Sequence, residues 1–399
     1  TGQATMTDRG RAVAVLATAT YLAAWAFGTR ALYPAAVGLA LALGVGWGWI
    51  RLLRRPITLR RGLGAAEHFE GDDVPVLLEA SVRPPAPRSL NAIDVVDRLG
   101  ERQVRLGRHG GALLGRYVLP RVSRGRYRFM GARTVIEDPF GLYLAESEAS
   151  GEATLLVYPR LVEVDRLFSE GGGAAQEGGR MLMRRTSGFD LHSVRDYQEG
   201  ESLRKVHWRT TARRGHLMVK ELEDTPHDEV AVLLDADARS AVGDSFDVQV
   251  RAAGSILRVH ALRGRRALLA VTTSPPEHRR VTSFDGEWQL ARELLASVEP
   301  TGAERVEAFL ARDSSPAAQA VELVVVTAAL SARLVDALVD RTLAYRPASL
   351  VLVRANDEPV RDPLLLRLHA GGVPVTVLQP GDDLRAKLSA LPERAAAHG

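Results

Sequence analysis

The sequence predicts an α/β chain: a doubly wound sheet in the C-terminal half, preceded by a small β-sandwich and an N-terminal two-helix transmembrane hairpin. Three observations predict this. After Val230, continuous apolar runs alternate with segments of helical spacing. Between Ile57 and about Val164 the apolar runs are short and separated by turn signals. Near the N-terminus two uncharged stretches, Ala12–Gly28 and Ala31–Ile50, stand almost back to back.

Composition narrows the classes. A chain of 399 residues has room for two to three domains, each with its own core. With 46% hydrophobic and 25% charged residues, its body is globular rather than disordered. Cysteine is absent, which excludes disulfides, thiol catalysis and Cys-ligated metal centres. The net charge is only +4 and charges of both signs are mostly interspersed, so dedicated nucleic-acid binding is not implied.

The hairpin is read over residues 1–55. The uncharged stretches hold seventeen and twenty residues with only Thr29 and Arg30 between them. Each is about long enough for a ~30 Å hydrocarbon core at 1.5 Å per residue. Arg9 and Arg11 precede the pair and Arg51, Arg54 and Arg55 follow it, against a lone Arg30 in the turn. By the positive-inside rule both ends face the cytoplasm. Tyr21, Trp25, Tyr33, Trp47 and Trp49 fall toward the span ends, where amphipathic rings favour the interface. The expectation is a multi-pass protein of the cell membrane, in contact with the bilayer through residues 12–50, with its N-terminus and C-terminal domains cytoplasmic. A buried hairpin, or a signal peptide followed by a core helix, are the alternatives. Two adjacent spans and no clean cleavage site argue against export.

Residues 56–168 carry the β pattern. Val74–Val82, Arg116–Leu119, Arg126–Met130, Thr134–Ile136 and Thr154–Tyr158 read as strands between Gly, Asp and Pro clusters. That spacing suits a small antiparallel β-sandwich. Residues 169–186 follow as a linker, with five glycines in the twelve residues Ser169–Arg180.

From residue 230 to 399 the period changes. Strands are read at Val230–Leu234, Ala267–Val271, Val321–Val326, Ser349–Val353 and Val373–Leu378. Helices are read at Phe246–Leu262, Trp288–Ser297, Ala332–Leu343, Pro363–Ala370 and Asp383–Leu391. Such alternation implies a doubly wound sheet, in which sites form beyond the carboxyl ends of the strands. Those ends are Asp235-Ala236-Asp237-Ala238-Arg239-Ser240 and Thr327-Ala328-Ala329.

Between sandwich and sheet, residues 187–229 form the densest segment of the chain. From Arg180 to Lys220 there are ten Lys/Arg against four Asp/Glu, so the rest of the chain is slightly acidic. The order Arg195-x-Tyr197-x-x-Gly200-Glu201-Ser202-x-Arg204-x-x-His207-Trp208, continuing to Ala212-Arg213-x-Gly215-x-Leu217-x-Val219-Lys220-Glu221, closely resembles the signature of the domain-of-unknown-function 58 family. Those are bacterial membrane-associated proteins whose C-terminal half is similar to a von Willebrand factor A (vWA) domain. The resemblance therefore implies a vWA-like fold for residues 230–399. It also implies a partner, because relatives often occur beside MoxR-type AAA+ ATPases.

A vWA metal site typically shows Asp-x-Ser-x-Ser after the first strand and a Thr-Asp-Gly-like turn later. This chain keeps Asp235 but has Asp237 and Arg239 where the serines would stand, and no Asp after Thr327. Arg239 puts a fixed positive charge where the ion's charge would lie. The expectation is a degenerate site, with Arg239 pairing Asp235 or Asp237 and no cofactor. The alternative is a non-standard Mg²⁺ or Ca²⁺ site on Asp235 and Asp237.

Three functions compete. The first is a non-enzymatic membrane-anchored interaction scaffold, a partner or co-chaperone of the ATPase. Its candidate docking face comprises Arg195, Tyr197, Arg204, His207, Trp208, Arg213, Lys220, Asp235, Asp237 and Arg239. The second is binding of anionic lipid or nucleic acid through the Arg-rich segment. The third is a metal-dependent hydrolase using His207 or the Asp pair. No nucleophile elbow, P-loop or zinc motif supports it, and the spacing of His192, His207, His216 and His227 matches no ligand run. The bland reading of the segment has Tyr197 and Trp208 as anchors, Gly200 and Gly215 in turns, and Leu217–Glu221 as a strand leading into the α/β core.

Overall fold

The computed structural model describes residues 4–53, 57–82, 87, 89–149, 151–171, 191–196, 208–222, 229–241, 243–312, 314–355 and 363–390. The chain divides into two compact units, Thr1–Tyr158 and Pro159–Gly399.

The first unit opens with a short strand β1 (Ala4–Met6), followed by helices α1 (Asp8–Ala26) and α2 (Tyr33–Leu53). Thr7 caps α1, its hydroxyl oxygen accepting from the Gly10 N–H at 3.0 Å. The helix stops at Ala26, and Gly28 turns the chain with φ +65°, where a side chain would be strained. The rings of Tyr21 and Tyr33 meet edge to face across the two helices.

Among the described residues one helix, Arg30–Leu53, is long and apolar enough to cross a membrane. This corrects the expectation of two such spans. The first stretch is shortened at its C-terminal end: Asp8, Arg9 and Arg11 occupy the first turn of α1, and only Ala12–Ala26 is uncharged helix. Those fifteen residues cover about 22 Å, short of a ~30 Å core.

The strands of this unit are β2 (Thr58–Gly62), β3 (His68–Phe69), β4 (Val74–Ser81), β5 (Ser89–Val96), β6 (Gly100–His109), β7 (Ala112–Leu119), β8 (Gly125–Glu137), β9 (Tyr143–Ala149) and β10 (Ala153–Tyr158). They form one hydrogen-bonded sheet in the order β1-β9-β8-β5-β6-β7-β4-β2, with β10 pairing β8 and β3. Every pairing but β10–β3 is antiparallel. Period-2 alternation sets the buried face: Val74, Val76, Leu78 and Ala80 point inward from β4. The runs read at Arg126–Met130 and Thr134–Ile136 belong to one long strand, β8. It changes partner near Gly131 (φ +114°), pairing β10 before that residue and β9 after it.

Two polar devices stabilise the unit. Asp94 is fully buried on β5, taking the Arg61 guanidinium (Nη2–Oδ1 2.7 Å) and the Tyr117 hydroxyl (2.7 Å to Oδ2). Arg61 also donates to the Gly151 carbonyl and lies over the Phe129 ring. Burial, then the bond to Asp94, raises the Tyr117 phenol, keeping it a donor. In the second device the Asp138 carboxylate, also buried, accepts the N–H groups of Phe140, Leu142 and Tyr143 and so closes the turn between β8 and β9.

The second unit is built on six strands: β13 (Val230–Leu234), β14 (Ala267–Val271), β15 (Glu277–Val281), β16 (Glu322–Thr327), β17 (Ala348–Val353) and β18 (Val375–Leu378). Before them come β11 (Leu191–Asp196), α3 (Trp208–Arg214) and β12 (Met218–Leu222). The sheet order is β15-β14-β13-β16-β17-β18. All pairings are parallel except that of the charged edge strand β15. The helices are α4 (Ser245–Leu262), α5 (Gly286–Ser297), α6 (Val306–Leu310), α7 (Pro316–Gln319), α8 (Ala332–Leu343), α9 (Pro363–Ala370) and α10 (Leu384–Ser389). Alternate residues of one strand serve opposite faces. Val230, Val232 and Leu234 pack with α4, α5 and α10, whereas Ala231 and Leu233 pack with α6 to α9. A strand buried on both faces must be apolar throughout, which is why these runs were continuous in the sequence.

Candidate functional site

In this sheet β13 has β14 on one side and β16 on the other, so the strand order reverses beside it. A crevice opens where crossovers leave in opposite directions, beyond the carboxyl ends of the strands. The residue after β13 is Asp235, 3% exposed. Three neighbouring elements converge on its carboxylate. Thr327, the last residue of β16, donates its hydroxyl to Oδ2 at 2.6 Å. Thr272, just past β14, has its hydroxyl 3.4 Å from Oδ1 and accepts the Ala236 N–H at 2.8 Å. The Asp237 N–H donates to Oδ1 at 2.9 Å, and the Ser240 hydroxyl lies 3.3 Å from Oδ2. Burial raises the Asp235 carboxyl above the ordinary range, while the Thr327 hydrogen bond draws it back.

Asp237 is closed by a different partner. The Arg239 guanidinium meets it bidentately, Nε 2.9 Å from Oδ1 and Nη2 2.8 Å from Oδ2. This charge-assisted pair holds the Asp237 carboxyl below the usual range. Arg239 pairs with Asp237, leaving Asp235 to the hydroxyls. The loop is clamped from below by Gly302, whose N–H donates to the Ala236 carbonyl at 2.8 Å and whose carbonyl accepts the Ala238 N–H at 3.1 Å. A Cβ at Gly302 would stand 2.2 Å from the Thr272 carbonyl oxygen, so only glycine fits.

Above the loop lies a cleft of about 250 Å³, lined by Asp235, Arg239, Ser240, Arg305, Glu307 and Ser331 among others. Ser331 caps α8 by accepting the Leu334 N–H at 3.1 Å, and it bonds Glu307 at 3.0 Å. Arg239 and Arg305 are the exposed cations of this rim, their side chains 61% and 62% accessible.

The donor set does not suit a hard divalent cation. Such an ion needs free oxygens in near-octahedral array. Both Asp237 oxygens face a guanidinium, and both Asp235 oxygens face N–H or O–H donors. Among the described residues no three His, Cys, Asp or Glu side chains stand close enough together to hold a metal.

The Arg-rich segment takes a different place. Arg195 lies on β11 and Lys220 on β12, and these strands pair with each other in a separate two-stranded sheet, with Arg195 opposite Val219. The strand read at Leu217–Glu221 is present as β12 and pairs with β11 in this ribbon. Trp208 opens α3 and is 64% exposed, so it is no buried anchor. Arg213 sits in the last turn of α3, and Gly215 (φ +74°) ends the helix, its N–H bonding the Thr211 carbonyl. Met218 is buried, with its N–H on the Thr211 hydroxyl. Tyr197, Arg204 and His207 lie outside the described residues. The side-chain bonds of Asp235, Asp237 and Arg239 go to Ser240, Thr272, Ala303 and Thr327 and within the loop itself. None reaches the described part of the segment.

Sequence reading found Asp235, Asp237, Arg239, Ser240 and Thr327 but missed Thr272, Gly302 and Arg305. Thr272 carried a usable signal, since it directly follows a strand neighbouring β13. Gly302 and Arg305 carried none, because their loop reaches the site only through tertiary packing.

Two comparisons bear on this chain. The profile of a family described as "Protein of unknown function DUF58" matches residues 193–341, from β11 to α8. The uncharacterized protein YeaD of Bacillus subtilis (strain 168) is 26% identical over 216 residues, 54% of this chain and 53% of that protein. The chain thus spans about half the length of this relative. The matched family segment contains Asp235, Thr272, Gly302 and Thr327 together.

Proposed function

We propose that this protein is a membrane-anchored, non-enzymatic interaction scaffold whose α/β unit presents the Asp235 loop and the adjoining cleft as a docking face. The observation that carries this reading is the closed state of the loop. Each carboxylate is already matched to donors of this chain, so no free base, nucleophile or cation cradle is offered, while Arg239 and Arg305 stand exposed at the rim. Charged rims of this kind select partners and speed encounter. In this reading the α/β unit is vWA-like, with Arg239 standing where an ion would act; the order of the sheet and the position of Asp235 at the end of β13 support it. By the resemblance, the partner is a MoxR-type AAA+ ATPase.

Anchoring is assigned to α2. Strand β1 precedes α1 and pairs with β9, which follows α2, so both ends of the helical pair stay on one side. Arg9, Arg11 and Arg51 at that side favour the cytoplasm.

Affinity capture of the full-length protein from its own membranes tests the function. A co-purifying ATPase, lost on Arg239→Glu or Arg305→Glu with unchanged melting temperature, is the expected result. Capture indifferent to both reversals would remove the docking face.

A further inference from the structure

We infer that Arg341 and Arg346 form an oxyanion site at the amino ends of β16 and β17, suited to a phosphate group, free or esterified to a partner's side chain. It lies away from the Asp235 loop, because Thr327, which bonds Asp235, stands at the carboxyl end of β16. Local structure brings the two arginines together. Arg341 lies in the last turn of α8, and Arg346 comes just before β17 opens at Ala348. Between them the helix ends, the N–H groups of Ala344, Tyr345 and Arg346 turning back to the carbonyls of Asp340, Thr342 and Arg341. Both side chains then reach the end of α7. Arg341 donates from Nη1 to the Ala318 carbonyl at 2.8 Å and from Nη2 to that of Ala320. Arg346 donates from Nη2 to the same two carbonyls, at 2.7 and 3.0 Å.

Capping of α7 does not by itself call for this arrangement. Arg341 alone meets both carbonyls, so Arg346 satisfies no further acceptor and brings a second like charge. Among the described residues no carboxylate forms an ion pair with either guanidinium. Asp336 on α8 is taken by Arg367 at 2.6 Å, and Glu322 at the start of β16 by Arg265 at 2.9 Å. Burial, then the charge of Arg346, pushes the Arg341 guanidinium down to about 10, and its Nε is buried with no hydrogen-bond partner. Two cations held together without an anion repel each other. A bound anion turns that repulsion into attraction.

Phosphate fits the charge and the donors. A phosphate ester carries about −1.5 to −2 charge near neutral pH and three strong acceptor oxygens, against the fixed double positive charge of the pair. A single carboxylate would offset only half of it. Guanidinium N–H groups suit phosphate geometry, and Nε and Nη1 of the half-buried Arg346 make no hydrogen bond among the described residues. Beside the cations Tyr345 stands 67% exposed at φ +58°, at a position after a helix that usually takes glycine. Leu343 is equally exposed. A ring and an aliphatic side chain kept in the open next to two arginines suit a phosphate carried on a larger molecule.

Isothermal titration into the full-length protein in neutral detergent tests the site, with ionic strength held constant by chloride. The probes are inorganic phosphate, N-acetyl-phosphoserine amide and N-acetyl-serine amide. Saturable binding of one or both phosphate probes is expected, weakened about tenfold or more in Arg346→Gln. It should be unchanged in Arg333→Gln, which removes an exposed arginine from the first turn of α8. Binding of inorganic phosphate would show that the free anion suffices, and binding of the phosphoserine probe alone would assign the site to a phosphorylated partner. Arg346→Gln leaves Arg341 on both carbonyls, and Arg346→Lys, which keeps the charge without the planar fork, is a second variant expected to bind several-fold more weakly than the parent. If the parent binds neither phosphate probe, binds the serine probe equally well, or loses nothing on either substitution, the inference fails.

Discussion

Arg239 closes both carboxylate oxygens of Asp237, through Nε at 2.9 Å and Nη2 at 2.8 Å, across a single intervening residue. The pair decides the chemistry of the site, because it converts the second carboxylate of an acidic loop into half of an ion pair.

Removing that guanidinium tests the substitution of charge for metal. In Arg239→Ala the Asp235 and Asp237 carboxylates are left about two residues apart with no cation between them. Millimolar Mg²⁺ or Ca²⁺ is expected to raise the melting temperature of the variant while leaving the parent unmoved. A rise in the parent that disappears with Asp235→Asn would restore the metal reading.

Gly302 is the second test of the loop. An alanine there would drive its Cβ to 2.2 Å from the Thr272 carbonyl oxygen and 2.8 Å from that of Ala236. Overpacking against backbone costs on the order of 2 kcal/mol, so Gly302→Ala should unfold at lower denaturant with an unchanged m-value. A variant as stable as the parent would mean that this loop is not clamped as described.

His260 governs the acid limb of stability. It is buried on α4, with Arg265 Nη1 3.3 Å from its Nδ1, and burial pushes its imidazole down to about 4. The unfolded chain, with an ordinary value of about 6.5, takes up a proton as pH falls while the folded state does not. Stability is therefore complete above about 6.5 and lost progressively toward about 4, by about 3 kcal/mol at the lower end. Denaturation of His260→Leu across that window should give a flatter pH dependence than the parent. Equal slopes would assign the acid loss to other groups.

In the first unit, the buried pair Arg61–Asp94 predicts a non-additive cycle. Each partner is at most 1% exposed at its side chain, and leaving one charge buried alone costs about 3–5 kcal/mol. Arg61→Met and Asp94→Leu should each be severe, and the double variant should recover much of the loss. Simple addition of the two single costs would show that the charges do not depend on each other.

Legibility followed burial pattern. The strands β13, β14, β16 and β17 were readable to within about a residue, because a strand covered on both faces must be apolar throughout. By contrast β1, β2, β3, β5, β6, β9, β11 and β15 were missed. β6 reads GERQVRLGRH and buries only Val104 and Leu106, so its inward face is hidden among arginines. The first of the two spans was over-read, since hydropathy registers uncharged length but not where a helix starts and stops. At the site, the order of residues exposed Asp235, Asp237 and Arg239, and it left open which carboxylate the arginine takes.

By itself the sequence determined the alternation of elements, the strand ends at which a site forms, and the placing of Asp237 and Arg239 just beyond Asp235. These are local properties, carried by periodicity and by residues adjacent in the chain. Only the tertiary structure decided that Thr272, Gly302 and Thr327 meet at Asp235, that Arg239 takes Asp237, and that Gly10 and Gly46 admit the Asp138 turn between the helices. Apart from the Arg239–Asp237 pair, these depend on contacts between residues tens of positions or more apart, whose distances are set by packing and leave no periodic trace along the chain.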